Sequence, residues 1–389
     1  MTQFLNFRGH GPLVALIQGA CAGDALARAL ACPFLLASPD AELEPAGAWP
    51  GLEALHRLEP GRARTLEGEQ PTRAMPAERA LELGLLEQVV PADALPAAGQ
   101  ALLDQLAARR DDAQVEVILE VIQRSLTGGM TRALELEAAG FLRLARLRFG
   151  PAPSPSLEPP SPRLPSPGAP LLTGGSGWGN VPPLTNPPGG GPLRLERQGE
   201  LATLLLSDPP RNEMNATFFR QLARSVIQVR ATPAPSGLVV RGAGRHFSSG
   251  ADLEELGRRL AVEPDLEVGR FLADNIRTFQ SLAGLPFPTV AAVGGCCLGS
   301  GLELALACRQ RLAADNAVFS LPEAQYGLMP GCGGTVRLAR LLGRGRAIKL
   351  ILSGRNIMAP EALELGLVSA VLPRRELPAA AEALVGASA

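Results

Sequence analysis

Two acids stand out by where they sit. Glu303 lies one turn into "GSGLELALAC", an Ala/Leu-rich stretch of helical character, where a carboxylate on an apolar element needs a reason. Glu323 follows "FSLP", where Pro322 ends a strand and projects the next side chain off the sheet. Two carboxylates in unequal environments can divide the work, one activating water and the other managing a carbon-bound proton. Each acid alone also has a plainer reading: Glu303 as a first-turn residue favoured by the helix dipole, Glu323 as a surface acid after a strand. Two tight turns accompany them. "SSGADL" follows a strand and can present the Ala251 N–H, while "GSG" places Ser300 at a helix N-terminus, where N–H groups are unpaired. Two backbone donors aimed at one oxygen would stabilise developing negative charge, and losing one such donor costs about 2.7–4 kcal/mol. Taken alone, "GSG" is also simply a helix start that needs small residues.

The elements that must hold these residues alternate. "LRLERQGELATLLLSDP" reads as two strands around a Gly-Glu turn, and "NATFFRQLARSVIQVRA" has apolar residues at helical spacing. "SGLVVRGA" is a short buried strand and "FLADNIRTFQSLAGL" another amphipathic helix. "PTVAAVGG" is a strand feeding the glycine-rich turn, "GLELALACRQ" the helix after it, and "AVFSLPEA" a strand ending at an acid. Such alternation implies crossover connections and a mainly parallel sheet flanked by helices.

In order and spacing, "GRHFSSGADLEEL", "GSGLELALAC", "FSLPEAQYGLMPGCGGTVRLARLLG" and "APEALELGLVSAVLP" resemble the crotonase (enoyl-CoA hydratase/isomerase) superfamily. The resemblance runs from Leu193 to the C-terminus. It implies an α/β fold, a crotonase-like spiral of ββα units with flanking helices, assembled as a trimer or hexamer. It also implies action on acyl thioesters of CoA or a carrier protein. No cofactor is implied beyond the CoA or phosphopantetheine of the substrate, and no metal. By resemblance, Glu303 and Glu323 match the two glutamates of the hydratases, and Ala251 and Ser300 the two oxyanion-hole positions. The family often has glycine where Ser300 stands; the donor is backbone, so the change is tolerable, although the hydroxymethyl group narrows the pocket. Asp252, Leu253, Glu254 and Gly299 fall in the same motifs as substrate-binding positions, and Gly331 of "PGCGG" matches a position near the water. "PPRNEMNATFF" resembles the turn near which CoA adenine and pantetheine lie in the family. The arginines of "LARLLGRGRA" meet either phosphates or solvent, and His246 reads as a solvated loop residue.

Retention of both glutamates favours an enoyl-thioester hydratase or the reverse dehydratase. Within the enzyme class the alternatives are a double-bond isomerase or another enolate-forming biosynthetic enzyme. Outside it, the alternative is a non-catalytic interaction protein reusing the fold.

The glycine-rich phrase occurs twice. "GACAGDALARALACPF" from Gly19 repeats "GCCLGSGLELALACRQ" from Gly295, with Cys21, Gly23 and Cys32 standing where Cys297, Gly299 and Cys308 do. Ala27 occupies the place of Glu303. The copies regain register at "MPAERALELGLLEQVVPADALPAA" and "MAPEALELGLVSAVLPRRELPAA"; between, the first is about six residues shorter and lacks "LPEA" and "PGCGG". Residues 1–149 therefore read as a degenerate, non-catalytic partial copy. Residues 150–192, rich in Pro and Gly, read as a linker, and residues 193–389 as the catalytic domain. "EVILEVIQRSLTGGMTRALELEAAGFLRLARLRF" resembles the family's C-terminal helices, which cover the active site, and the second copy stops at Ala389 before any such helices.

Composition narrows the partners. Over 389 residues the formal net charge is −1, which argues against nucleic acid or another polyanion. Lys349 is the single lysine, leaving phosphate contacts to arginine. The six cysteines show no metal spacing and read as small packing residues in a reducing compartment. Neither a signal peptide nor a bilayer-spanning apolar run is apparent, so the expectation is a cytoplasmic protein with no membrane partner.

Overall fold

The apolar runs of the second half build a six-stranded sheet. Its order is Ala370–Leu372, Gln310–Ala314, Thr289–Val293, Gly237–Gly242, Leu201–Leu206 and Leu193–Gln198. All pairings are parallel except that of the last two strands, a hairpin turned at Gly199. "TVAAV" is buried at every residue, as a central parallel strand covered on both faces must be. Val290, Ala292 and Leu312 pack on one face beneath Leu377, Ala381 and Val385 of helix Leu377–Gly386. Helix Ala216–Arg230 starts at Asn215, whose side chain accepts from the Phe218 N–H. It sets Phe219 against Phe271 and Phe279 of helix Asp265–Ala283.

The step from this sheet to a second layer makes the site. After Val293 the chain turns at Gly295, whose φ is 58° and where a Cβ would lie 2.5 Å from the Arg245 carbonyl oxygen. Strand Cys296–Leu298 then runs parallel to Val318–Ser320, which pairs antiparallel with Ile357–Met358. Helix Ser300–Ala307 connects the layers with all eight residues buried. Strand, strand, helix, then back to the first sheet is the ββα unit the sequence implies.

The structure is a computed structural model and describes residues 1–6, 12–44, 74–108, 112–125, 129–149, 191–231 and 233–386. The linker expected at 150–192 lies outside the described residues apart from Gly191 and Pro192. Two compact units emerge: residues 1–122 with 338–352, and residues 123–337 with 353–389. Among the described residues no helix is long and apolar enough to cross a membrane.

Within the first unit, Thr2–Asn6, Pro12–Ile17, Phe34–Ala37 and Gln88–Val89 form one sheet, and Ala20–Ala22, Glu42–Glu44 and Met75–Pro76 a smaller one. Their pairings follow the scheme of the second unit. Val14 faces Phe34 in parallel as Val290 faces Gln310, and Ala20 faces Glu42 as Cys296 faces Val318. Leu36 faces Gln88 where Leu312 faces Ala370, so this crossover is shorter by six residues (52 against 58). The place of the parallel strand Gly237–Gly242 is taken by antiparallel Thr2–Asn6. Helix Arg344–Ser353 contributes to this unit: Arg344 donates to the carbonyls of Leu30 and Ala31 at 3.4 and 2.9 Å, and Lys349 pairs with Glu87 at 2.5 Å. Arg344 is thus buried rather than solvated and closes the carbonyl end of helix Gly23–Ala31.

The second unit includes helix Met130–Phe149. Its Ala133, Leu134 and Ala138 pack with Ala273, Ile276 and Val336 in a small apolar cluster.

Candidate active site

Glycines let the segments that carry the candidate residues approach one another. Gly299, at φ 51°, precedes helix Ser300–Ala307, and a Cβ there would lie 3.0 Å from Glu323 Oε1. Gly250, at φ 99°, has room for no Cβ either: it would sit 2.8 Å from the Leu298 carbonyl oxygen and 3.5 Å from the Ser300 nitrogen. The "SGAD" turn is thus pressed against the start of the helix. Ser248 fixes it, its hydroxyl donating to the Asn212 carbonyl at 2.8 Å and accepting from the Gly250 N–H at 3.0 Å. Met214 bridges to the turn through the Gly250 carbonyl and the Asp252 N–H, a pairing that leaves the Ala251 N–H out. Ser300 is the first helical residue, so its N–H has no carbonyl one turn back.

Both donor-bearing residues line one cavity of about 460 Å³, and so do the other seven residues singled out in the sequence: Asp252, Leu253, Glu254, Gly299, Glu303, Glu323 and Gly331. Their positions differ in kind. The Asp252 carboxylate accepts from the Glu255 N–H at 2.9 Å and caps helix Leu253–Val262. Leu253 and Glu254 are exposed and sit at the rim. Gly331 lies against Phe141, where a Cβ would come within 2.7 Å of the ring.

Glu303 is 1 % exposed. Its Oε1 accepts from the N–H groups of Cys332 and Gly334 at 2.7 and 2.8 Å, and its Oε2 from the Ser300 hydroxyl at 3.3 Å. Burial raises its pKa above the ordinary carboxylate range, against the lowering pull of those N–H groups, Arg337 and Ser300. Glu323 enters through a 3-10 turn, Pro322–Tyr326, with Pro322 at its first position. Its Oε2 is sealed from solvent and has no hydrogen-bond partner among the described residues. Burial, then the charge of Glu303, pushes its pKa well up. One carboxylate is anchored through both oxygens and the other has an unpartnered Oε2, and burial opposes the ionisation of both. Two carboxyl groups with unequal surroundings can divide acid and base work between them.

A third acid is absent from the sequence reading. Glu137, on helix Met130–Phe149, is fully buried and accepts from the Gly333 N–H through Oε1 and from the Val336 N–H through Oε2, the latter at 3.0 Å. Burial and the neighbouring Glu303 raise its pKa to about 8. Arg337 is the buried cation nearby, donating to the Cys332 carbonyl at 2.8 Å and to Gln280 Oε1 at 3.2 Å. The signal for Glu137 lay in the spacing: Leu134, Glu137, Phe141 and Leu144 share one helical stripe, so an acid stood where a core residue belongs. His246 is partly buried rather than solvated, and its Nδ1 accepts from the Cys296 N–H at 3.0 Å, holding the turn between the sheets.

Residues 196–386 match the sequence profile of the "Enoyl-CoA hydratase/isomerase" family. A "Probable enoyl-CoA hydratase" of Mycobacterium tuberculosis is 35% identical over 186 residues, covering 48% of this chain and 70% of that protein. One of Bacillus subtilis is 38% identical over 172 residues, covering 43% of this chain and 64% of that protein, so the chain spans somewhat less than two thirds of it. An enoyl-CoA hydratase structure from Bacillus anthracis shares 33% identity over 50% of this chain and 76% of its own, with a TM-score of 0.47.

Proposed function

The chain belongs to the enoyl-CoA hydratase/isomerase family, and from that premise we propose that it adds water across the Cα=Cβ bond of an acyl-CoA or acyl-carrier-protein thioester, or removes it in the reverse direction. The observation that carries this reading is the pair Glu303 and Glu323 facing one cavity, the first held by three donors and the second with its Oε2 unpartnered among the described residues.

In the addition, a water between the carboxylates gives a proton to one of them as its oxygen bonds to Cβ. The π electrons move through Cα onto the thioester oxygen. That oxygen lies between the N–H groups of Ala251 and Ser300, which hold the enolate charge without reorganising. The enolate then collapses and Cα takes a proton from the second carboxyl group, and the proton that the first acid took from water passes to the second to restore the starting state. No other reactant is consumed. Raised carboxyl pKa values suit the scheme, because one group must be protonated while the other is not.

The test is to replace each acid by its amide in the full chain. Glu303→Gln and Glu323→Gln are each expected to lower kcat by about 10²–10⁴-fold, the range for a lost general acid or base. KM should stay nearly constant, since neither acid is assigned to holding CoA. Near-wild-type turnover by both variants would rule the mechanism out.

A further inference from the structure

Four N–H groups of one short turn are shared out between two carboxylates. Cys332 and Gly334 donate to Glu303, and Gly333 and Val336, between and after them, donate to Glu137. The acids come from different helices, Ser300–Ala307 and Met130–Phe149, and Glu137 lies outside the residues that match the family profile. We propose that Glu137 is a positioning residue for Glu303: it clamps the turn 331–336 in the shape whose N–H groups aim the Glu303 carboxylate at the substrate. This rests on the catalytic role proposed for Glu303.

The turn cannot hold that shape by its own backbone preferences. Gly333 sits at φ 103°, where an L side chain is strained, and a Cβ there would run into the Arg337 guanidinium. Gly331, Gly333 and Gly334 give it three flexible positions, so an isolated "GCGG" segment would populate many conformations. Glu303 changes its protonation in every turnover, so the turn needs acceptors that stay the same throughout. Glu137 takes no part in the proton transfers and keeps one state through the cycle, its two oxygens facing the N–H groups of Gly333 and Val336. Burying an acid beside another acid is unfavourable, and a leucine would complete the stripe of Leu134, Phe141 and Leu144. Two N–H groups that would otherwise be buried without acceptors explain why an acid stands there instead. Phe141, one turn further along the same helix, lines the cavity itself and rests on Gly331. One helix therefore supplies both a wall of the cavity and the clamp on its catalytic turn.

The test uses the full chain with Glu137→Gln, which keeps the volume but offers one acceptor oxygen where two are needed. Turnover of a short 2-enoyl-CoA should fall about 10–100-fold in kcat, as a carboxylate misplaced by about an ångström does, with KM within about twofold. The melting curve should stay cooperative. Amide hydrogen exchange gives a readout that does not depend on turnover: in the wild type the N–H groups of Cys332, Gly333, Gly334 and Val336 should all exchange slowly, and in the variant all four should exchange quickly. A packing role alone would lower the melting point while leaving kcat per folded molecule unchanged, and that result overturns the proposal. So does slow exchange at Cys332 and Gly334 in the variant. If Glu137→Gln does not fold, exchange in the wild type decides, and fast exchange at Gly333 and Val336 refutes the clamp. If Glu303→Gln turns over normally, the hydratase reading is what fails, and the exchange rates still report whether Glu137 orders the turn.

Discussion

Glu303 occupies a helix that has no polar face. All eight residues of Ser300–Ala307 are buried, so the carboxylate has given up its water and depends on the donors brought to it. Hydrogen bonds to a charged group contribute about 1.5–3 kcal/mol each, enough for two or three of them to offset much of that loss. The geometry leaves little tolerance. A Cβ at Gly334 would lie 2.8 Å from Glu303 Oε1 and 2.9 Å from its Cγ. Gly334→Ala should therefore displace the carboxylate and reduce kcat about 10–100-fold. Gly386→Ala, whose Cβ meets nothing within 4 Å, should leave turnover unchanged. Equal rates for wild type and Gly334→Ala would show that the close packing around Glu303 is immaterial. Glu303 and Glu323 were legible in the sequence because each interrupts an apolar context at a glycine or proline turn. Glu137 was not singled out, because "LELEAAG" alternates acids and leucines as a half-exposed helix does. Only the stripe it shares with Leu134 and Phe141 distinguishes it from Glu135.

At the scale of elements, three carboxylates converge from helix Met130–Phe149, helix Ser300–Ala307 and the 3-10 turn Pro322–Tyr326. Facing them are Arg337, the Cys332 thiol and the amide of Gln280 on Arg337. Burial is the leading cause of the upward pKa shift in all three acids. A carboxyl whose pKa is raised on folding keeps a proton that the unfolded chain gives up, so its contribution to stability is complete below the unfolded value and fades as pH rises toward the folded one. For Glu137 the window runs from 4.5 to about 8. The melting temperature should fall as pH rises through that range, and Glu137→Gln should make the fall shallower, with Glu303 and Glu323 sustaining the remainder. Identical slopes for the two proteins would mean that Glu137 ionises normally. The strands and helices themselves were readable because apolar runs and helical periodicity are local. The turn's partners were not, since nothing in "PGCGG" names the side chains that will accept its N–H groups.

On the scale of the whole chain, the doubled glycine-rich phrase corresponds to two sheets that share their central parallel pairings and differ in a crossover six residues shorter and in an antiparallel first strand. We take the first unit as a partial copy: Ala27 stands where Glu303 does, and the motifs "LPEA" and "PGCGG", which carry Glu323 and the clamped turn, do not recur in its sequence. The repeat was visible in sequence. So was the resemblance of the stretch containing helix Met130–Phe149 to the family's C-terminal helices; the membership of helix Arg344–Ser353 was not, because periodicity shows that a helix is amphipathic and not which unit receives its apolar face. The central claim is that two carboxylates and two backbone donors hydrate an enoyl thioester. Its most direct test is to incubate the purified chain with a short 2-enoyl-CoA, follow the conjugated absorbance, and identify the product. The absorbance should fall as a hydroxyl appears on Cβ and a solvent hydrogen on Cα, and Glu303→Gln and Glu323→Gln should each slow both by about 10²–10⁴-fold; an absorbance that holds steady, or a double bond that migrates without gaining water, would contradict it.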